Sequence, residues 1–241
     1  MESSPEVRKI EWKGRTGPFP LLLTPTVFPP THTSRVVAEA LEVPRGATVV
    51  DVGCGSGVLG IVAARLGAGR VVGCDASPEA VTVAERNAET LGLAETMEFR
   101  QGNLLEPVWD VSADVVIGDV SGIPDAVAKV AGWFPDGRSG GPTGAELPVA
   151  MLEGMGDVLA PGGVMVLPTG SIQAEDRVLE AARKLFGERN IERILEREFP
   201  LPDLVAKSRA VARLVTAGIL RLRQRGTRLL WRLSVWRCVR R

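Results

Sequence analysis

The stretch Val49-Val-Asp-Val-Gly-Cys-Gly-Ser-Gly-Val-Leu-Gly-Ile61 decides the fold of this chain. An apolar run ends in Asp51, and three alternating glycines then lead into a segment with helical periodicity. Glycine lets the backbone turn tightly and approach a ligand closely. The next apolar run ends in Asp75, where a carboxylate is placed to accept hydrogen bonds from ribose hydroxyls. The pattern predicts a nucleoside-cofactor site on an α/β sheet, with its turn at Gly53, Gly55 and Gly57.

Apolar runs alternate with amphipathic segments over most of the chain. This alternation predicts a parallel sheet with right-handed helical crossovers. The predicted strands lie near 47–52, 70–75, 95–100, 113–118, 164–167, 190–199 and 205–215, and the predicted helices near 33–41, 57–67, 78–91, 122–131, 145–159 and 173–186.

The composition is that of an ordinary globular protein, with 45% hydrophobic and 24% charged residues in a chain of 241. That length suits one doubly wound domain with additions. No run of 18 uncharged apolar residues occurs and no signal-peptide profile is present, so we expect a cytoplasmic protein. We expect Cys54 and Cys74 to be reduced core residues. With a single histidine and no zinc-like cluster, no metal site is expected.

The start of the chain is rich in proline. Six of the 17 prolines fall within the first 30 residues, which predicts an irregular, extended arm over residues 1–32. Thr33 or Ser34 is placed to cap the helix that follows. A second stretch, residues 132–144, is rich in glycine and proline. It contains five glycines and two prolines, which predict a mobile loop.

The end of the chain is strongly basic. Up to Asp203 the chain has 18 Lys/Arg and 29 Asp/Glu, and from Leu204 onward it has 11 Lys/Arg and no acid. Arginines at helical spacing from Arg221 to Arg232, beside a stripe of leucines, predict a basic tail over residues 216–241, after a central domain over residues 33–215. Such a tail is either a solvated terminus or an amphipathic helix that contacts nucleic acid, protein or an anionic membrane.

Several features bear on which cofactor the glycine turn binds. Gly55-Ser-Gly-Val-Leu-Gly60 also satisfies GxGxxG, so an NAD-dependent oxidoreductase remains an alternative, although no hydride-transfer partner is recognisable. Asp51 opens the turn as Asp-x-Gly-x-Gly-x-Gly, a carboxylate suited to a cationic ligand, and a helical segment precedes the first strand. Gly102-Asn103 and Pro161-Gly-Gly163 follow further along. At these residues, over roughly 25–200, the chain resembles class I S-adenosylmethionine-dependent methyltransferases.

The resemblance implies a Rossmann-like fold, an α/β, doubly wound, mostly parallel seven-stranded sheet with an antiparallel C-terminal hairpin. It implies S-adenosylmethionine as the cofactor, with Asp51 near its ammonium group and Asp75 on its ribose diol. Ala76 would pack on the adenine, and Asn103 and Leu104 would lie beside it. The implied cofactor-binding set is Asp51, Gly53, Gly55, Gly57, Asp75, Ala76, Asn103 and Leu104.

The segment Asp114-Val-Val-Ile-Gly-Asp-Val-Ser-Gly-Ile-Pro124 follows the fourth predicted central strand. It resembles the HemK-like release-factor glutamine methyltransferases, which have Asn-Pro-Pro-Tyr-Ile there, and the Pro-rich entry at 27–41 fits the same family. Residues 53–87 also resemble the ribosomal-protein L11 methyltransferases. Asp119 stands in place of the family's Asn, and Val120-Ser-Gly replaces Pro-Pro-Tyr, so the aromatic ring that stacks on the acceptor is missing.

The altered motif favours a small-molecule acceptor, such as a biosynthetic intermediate, over the family's glutamine. A protein or RNA acceptor and a non-catalytic cofactor-binding module remain alternatives. Asp119 is the leading candidate to accept a proton or hydrogen bond from an amine or hydroxyl, and His32 is the second candidate base. The aromatic candidates for an acceptor pocket are Trp12, Phe19, Phe28 and Trp133.

Overall fold

The computed structural model describes residues 7–133 and 139–241. In this part of the chain an eight-stranded sheet forms the centre, and a separate two-stranded sheet lies near the start. The strands are β1 Arg8–Trp12, β2 Phe19–Leu23, β3 Thr48–Val52, β4 Arg70–Asp75, β5 Met97–Gln101, β6 Ala113–Ile117, β7 Leu159–Gly170, β8 Ile191–Pro200, β9 Arg223–Arg225 and β10 Arg228–Val239. The helices are α1 His32–Ala40, α2 Val58–Leu66, α3 Pro78–Thr90, α4 Asp125–Ala131, α5 Glu146–Val158, α6 Glu175–Phe186, α7 Asp203–Ala206 and α8 Arg209–Thr216.

The order of the strands confirms the predicted fold class. The main path of the sheet runs β5-β4-β3-β6-β7-β10-β8, and β9 pairs with β10 beside it. The pairs from β5 to β7 are parallel, whereas β10 is antiparallel to both β7 and β8. The carboxyl ends of β3, β4, β6 and β7 therefore meet at one edge of the sheet, which we call the carboxyl edge.

The parallel strands form where the sequence has uninterrupted apolar runs, because helices cover both faces of this sheet. Val49 lies in the apolar layer formed with α1 and α2, whereas Val50, its neighbour, lies in the layer formed with α5 and α6. The alternation follows the two-residue period of a strand. Among the described residues, no helix is long and apolar enough to cross a membrane.

The prediction of a basic tail over residues 216–241 is wrong. This segment supplies β9 and β10, and β10 lies inside the sheet between β7 and β8. The strand predicted at 205–215 is also wrong, because that segment forms α7 and α8. The error has a physical reason: Leu233, Val235 and Cys238 are buried by pairing with strands far away in sequence, and no local periodicity records that pairing.

The predicted irregular arm is wrong in part. β1 and β2 pair antiparallel, and Trp12 and Phe19 from this hairpin are buried in the core beside α1 and α2. Pro20 is accommodated because a two-stranded sheet leaves an edge free of ladder bonds. α1 begins at His32, and its cap is Thr31, not Thr33 or Ser34; Ser34 closes the capping box from inside the helix.

The glycine-rich loop predicted at 132–144 lies partly outside the described residues. Its described end, 139–144, packs on the segment that follows β6. Gly140 N donates to Ile123 O at 2.8 Å, and Asp125 N donates to Gly141 O at 2.9 Å. This end of the loop therefore holds the segment after β6 in place.

Candidate functional site

Three carboxylates meet at the carboxyl edge of the sheet. Asp51 is in β3, Asp75 ends β4, and Asp119 follows β6, and these three strands are neighbours in the order β4-β3-β6. Asp51 lies close enough for the charges of Asp119 and Asp75 to raise its pKa. The structure thus brings together three acidic residues that the sequence predicted for the site.

Asp51 is buried beneath the glycine turn. Its Oδ2 accepts a hydrogen bond from Gly60 N at 2.9 Å, in the first turn of α2, where amides have no partner within the helix. Burial raises the pKa of Asp51 to about 7; the Gly60 bond lowers it, and the charges of Asp119 and Asp75 raise it. A positive ligand at this edge would therefore find a carboxylate that gains stabilisation by ionising.

The glycine turn has the backbone conformation that its sequence predicts. Gly53, Gly55 and Gly57 have φ values of +72°, +53° and +78°, which side chains disfavour. A Cβ at Gly57 would lie 3.1 Å from Ala84 Cβ, so α3 packs closely there. A Cβ at Gly55 would meet nothing within 4 Å. The turn is thus tight on the side of α3 and open at Gly55.

Asp75 organises the turn through its carboxylate. Its Oδ2 accepts a hydrogen bond from Gly55 N at 3.0 Å, and its Oδ1 accepts one from Ser77 N at 2.8 Å. Each oxygen of a carboxylate has a second lone pair, so both can still accept from a diol. Asp75 therefore links the glycine turn to the start of α3 and retains the acceptor capacity predicted for ribose.

The remaining predicted cofactor residues lie along the same edge. Ala76 follows Asp75 and is partly buried, and Asn103 is exposed in the turn after β5. Leu104 has a φ of +48°, and its carbonyl accepts from Cys74 Sγ at 3.2 Å. Gly102 N donates to Asp75 O at 3.0 Å, which joins the turns after β4 and β5.

Asp119 lies in the segment where the sequence departs from the HemK-like motif. It is partly buried, and desolvation raises its pKa to about 7. No hydrogen bond to its carboxylate occurs within the described residues. The next residue, Val120, packs over Gly53, where an added Cβ would lie 3.4 Å from Val120 Cγ1. Asp119 therefore lies directly beside the glycine turn, and its carboxylate accepts no hydrogen bond from the described residues around it.

His32 is placed elsewhere. It is the exposed first residue of α1, and its ring stacks on Phe199 of β8, with ring centroids 4.7 Å apart. β8 is the outermost strand, three positions from β6, which corresponds to about 14 Å between strand axes. The structure thus separates the strand under His32 from the strand that carries Asp119.

The four aromatic candidates for an acceptor pocket divide into two pairs. Trp12 and Phe19 are core residues with 2% and 3% exposure, so they do not line a cleft. Phe28 and Trp133 instead meet edge to face, with ring centroids 6.5 Å apart. They connect the segment before α1 to the segment after α4.

Sequence reasoning missed the turn between β7 and α6. Gln173 is buried there against Gly122, where it leaves no room for a Cβ, and its Nε2 has no hydrogen-bond partner among the described residues. Two residues on, Glu175 is 5% exposed and accepts hydrogen bonds from Thr169 and Arg232. The sequence signals this turn only by the change from an apolar strand to polar residues. That change does not reveal that Arg232 of β10 is the partner of Glu175.

The residues at this edge fit a cationic nucleoside cofactor. No ion pair joins Asp51, Asp75 or Asp119 to a lysine or arginine in the described chain. Three clustered carboxylates without a cation are complementary to an ammonium and a sulfonium group. The open space at Gly55 admits the ligand, and Asp75 supplies diol acceptors.

Comparison with known proteins shows which family this chain matches. Residues 44–215 match a family described as methyltransferase domain. The chain is 34% identical over 199 residues to the release factor glutamine methyltransferase of Moorella thermoacetica, covering 78% of this chain and 67% of that protein. It is 52% identical over 86 residues to the ribosomal protein L11 methyltransferase of Pelotomaculum thermopropionicum, covering 36% of this chain and 27% of that protein.

A solved structure supports the fold. Methanocaldococcus jannaschii Trm5 in complex with adenosine superposes with a TM-score of 0.59 at 14% identity, covering 99% of this chain and 57% of that one. The family model spans most of this chain and includes the glycine turn and all three carboxylates. The chain therefore belongs to the methyltransferase-domain family and is a class I S-adenosylmethionine-dependent methyltransferase.

Proposed function

We propose that this enzyme methylates a nitrogen of a protein acceptor, either an amine or an amide, and that Asp119 receives the proton or hydrogen bond of that nitrogen. The observation that carries the proposal is the position of Asp119 beside the glycine turn. Desolvation raises the pKa of its carboxyl to about 7. A carboxylate with that pKa is well matched to proton transfer near neutral pH.

When bound, the cofactor supplies a methyl group on a positively charged sulfur with a neutral leaving group. Displacement at that carbon depends chiefly on alignment, and positioning alone can supply roughly 7–11 kcal/mol in favourable cases. Asp51 and Asp75 hold and orient the ligand. Asp119 orients the attacking nitrogen through its N–H and takes the proton that the nitrogen loses, which contributes about 10²–10⁴-fold.

A protein acceptor replaces the small molecule that the sequence favoured. Relatives that the chain matches are named for methylation of a release factor and of ribosomal protein L11. The chain spans about two thirds of the release-factor enzyme and about a quarter of the L11 enzyme, so the activity of either whole protein is not carried over. A ribosomal or translation protein is the proposed acceptor class.

The departure at Asp119 distinguishes this site from that of the release-factor relatives. An Asn side chain can accept one N–H and donate another, whereas an ionised carboxylate only accepts. Without the aromatic ring of the family's motif, a planar amide loses its stacking partner, and an amine gains a counter-charge. Asp119 therefore favours an amine over the glutamine amide.

The test is methyl transfer from tritiated S-adenosylmethionine to a cytosolic extract, with the wild type and Asp119→Asn compared. Loss of the proton acceptor should lower incorporation into protease-sensitive material about 100-fold. Binding of the cofactor product, measured by calorimetry, should change only a few-fold. Asp157→Asn, an exposed carboxylate at the end of α5, is the matched control and should keep full activity.

Full turnover of Asp119→Asn would remove Asp119 from the chemistry. Label that stays in small molecules after protein precipitation would restore the small-molecule acceptor. Label that resists protease but is released by ribonuclease would instead make RNA the acceptor.

A further inference from the structure

The segment between β8 and β10 builds a cap on the carboxyl edge of the sheet. We call residues 201–228 the basic cap; it contains α7, α8 and β9. Leu201, Val205, Val211 and Leu220 pack in one apolar cluster with Val127 of α4. Ile123, four residues after Asp119, packs against the same cluster. The basic cap therefore stands beside the acceptor segment, although it is far from it in sequence.

The cap carries a concentrated positive charge. Asp203 is its only acid, against one lysine and six arginines. Three of these cations have acidic partners: Lys207 pairs with Asp203, Arg221 with Asp176 and Arg223 with Glu198. The other four are exposed and form no ion pair within residues 7–133 and 139–241; they are Arg209, Arg213, Arg225 and Arg228.

The four unpaired arginines lie in two close pairs. Arg209 and Arg213 are one helical turn apart on α8, with Val211 between them turned into the cap core. Arg225 and Arg228 are directly opposite each other in the β9–β10 hairpin. Like charges in that position repel and destabilise a hairpin. An anionic partner would convert both repulsive pairs into attractive contacts, so the arrangement indicates a binding surface.

We propose that the basic cap docks the phosphate backbone of RNA beside the segment that carries Asp119. Arginine binds phosphate through two parallel N–H donors, and paired arginines suit a chain of repeating phosphates. A membrane surface fits less well, because leucines of the cap such as Leu220 and Leu222 pack into its core. Only Leu204 and Val215 are large, apolar and exposed among the described residues of the cap.

RNA is favoured over DNA because a ribosomal-protein acceptor is assembled with RNA; in this choice the inference rests on the proposed function. The docking itself rests on the charges of the cap. RNA bound here would hold a protein acceptor near Asp119 without itself being methylated. Binding can therefore be measured without any methyl transfer, and its failure is distinguishable from a failure of the proposed reaction.

The test is fluorescence anisotropy of a labelled RNA hairpin of mixed sequence, titrated with the full chain from 50 to 200 mM salt. Arg225→Glu/Arg228→Glu should weaken binding at least about tenfold at the lowest salt. It should also flatten the slope of log affinity against log salt by about 1.4–2, because each of the two lost phosphate contacts contributes about 0.7–1. Arg45→Glu/Arg189→Glu changes the net charge equally at exposed positions away from the cap and should bind like the wild type.

Equal weakening by both double variants would show only a general charge effect and overturn the proposal. So would tighter binding to a DNA duplex of the same sequence, to phosphatidylserine vesicles, or to polyglutamate in place of RNA. Thermal melting of each variant checks that the exposed substitutions leave the fold intact.

Discussion

The two halves of the sheet build their parts of the site in different ways. In the cofactor half, β3 to β6, the key hydrogen bonds join residues nearer in sequence: Asp75 and Ser77 are two positions apart, Asp51 and Gly60 are nine apart, and Gly55 and Asp75 are twenty apart. In the acceptor half, β7 to β10, Glu175 and Arg232 are 57 residues apart, and Thr169 and Trp236 are 67 apart. The cofactor half is thus specified locally, and the acceptor half only by the assembled fold.

Under the proposed function, this difference would let one cofactor site serve different acceptors. The cofactor half needs only backbone amides and carboxylates at strand ends, so its short motif can be kept while other parts of the chain change. The acceptor half is shaped by the segment after β6, the turn after β7 and the basic cap, which meet in one apolar cluster. Substitutions in the two halves should therefore have separable consequences.

The largest separable effect is expected in the cofactor half, from Asp75→Ala. The variant removes the acceptor for Gly55 N and Ser77 N and, we infer, for the ribose diol. A hydrogen bond to a charged group contributes about 1.5–3 kcal/mol, so the dissociation constant for S-adenosylmethionine should rise about 10- to 150-fold. Calorimetric titration measures this, and turnover at saturating cofactor should change far less.

Asp114→Ala is the matched control for this experiment. Asp114 also accepts a backbone hydrogen bond, from Thr48 N at 2.8 Å, but at the opposite edge of the sheet. The Asp114→Ala variant should bind S-adenosylmethionine with the affinity of the wild type. A comparable loss of affinity in both variants would mean that Asp75 acts through stability alone, and the local picture of the cofactor half would be broken.

The same contrast explains what could be predicted from the sequence. β3, β4 and their carboxylates were predictable because apolar runs, glycines with positive φ and a Pro at the start of α3 each have a local physical cause. β10 was not, because its leucines and arginines satisfy helical spacing equally well. What makes it a strand is burial between β7 and β8, with Arg232 paired to Glu175 and Glu196.

The acceptor side shows the same limit at individual residues. Asp119 was predictable, because it follows an apolar strand in frame with a family motif. The position of Gln173 was not predictable. Its side chain contacts Gly122, and this contact exists only because the turn after β7 packs on the segment after β6. The role of His32 stays a prediction, and its stacking on Phe199 could not be inferred from α1 alone.

A smaller effect, and one confined to the acceptor half, is expected from Glu175→Ala. The variant leaves Thr169 and the partly buried Arg232 without their shared carboxylate. We expect the free energy of unfolding to fall by about 1–3 kcal/mol, because Arg232 keeps partial solvent contact. Urea unfolding measures this loss, and cofactor affinity should not change.

Two comparisons sharpen the result. Glu175→Gln keeps one acceptor oxygen at the same place and should recover part of the stability. Glu188→Ala removes an exposed partner of Arg183 and should cost less than about 1 kcal/mol. If Glu175→Ala weakened the cofactor instead of the fold, the two halves would not be independent.

The last expected effect is a pH dependence of stability that originates in the cofactor half and extends to Asp119. Burial raises the pKa values of Asp51 and Asp119 from 3.8 to about 7 in the folded protein. Between about pH 4 and 7 the folded state then binds more protons than the unfolded state, so stability falls as pH rises and levels off above 7. Each carboxyl contributes a slope of at most about 1.4 kcal/mol per pH unit.

Urea unfolding of the ligand-free protein from pH 4.5 to 8 tests this dependence, with Asp119→Asn as the comparison. The amide does not titrate, so in the variant the free energy of unfolding should fall less steeply with pH. The difference is the part of the slope that the Asp119 carboxyl contributes. A bound cationic cofactor should flatten the slope further, because positive charge beside Asp51 favours its ionised form. Parallel curves for the wild type and the variant would mean that Asp119 is already ionised at pH 4.5. Its role as a proton acceptor near neutral pH would then be lost, although the cofactor half would stand unchanged.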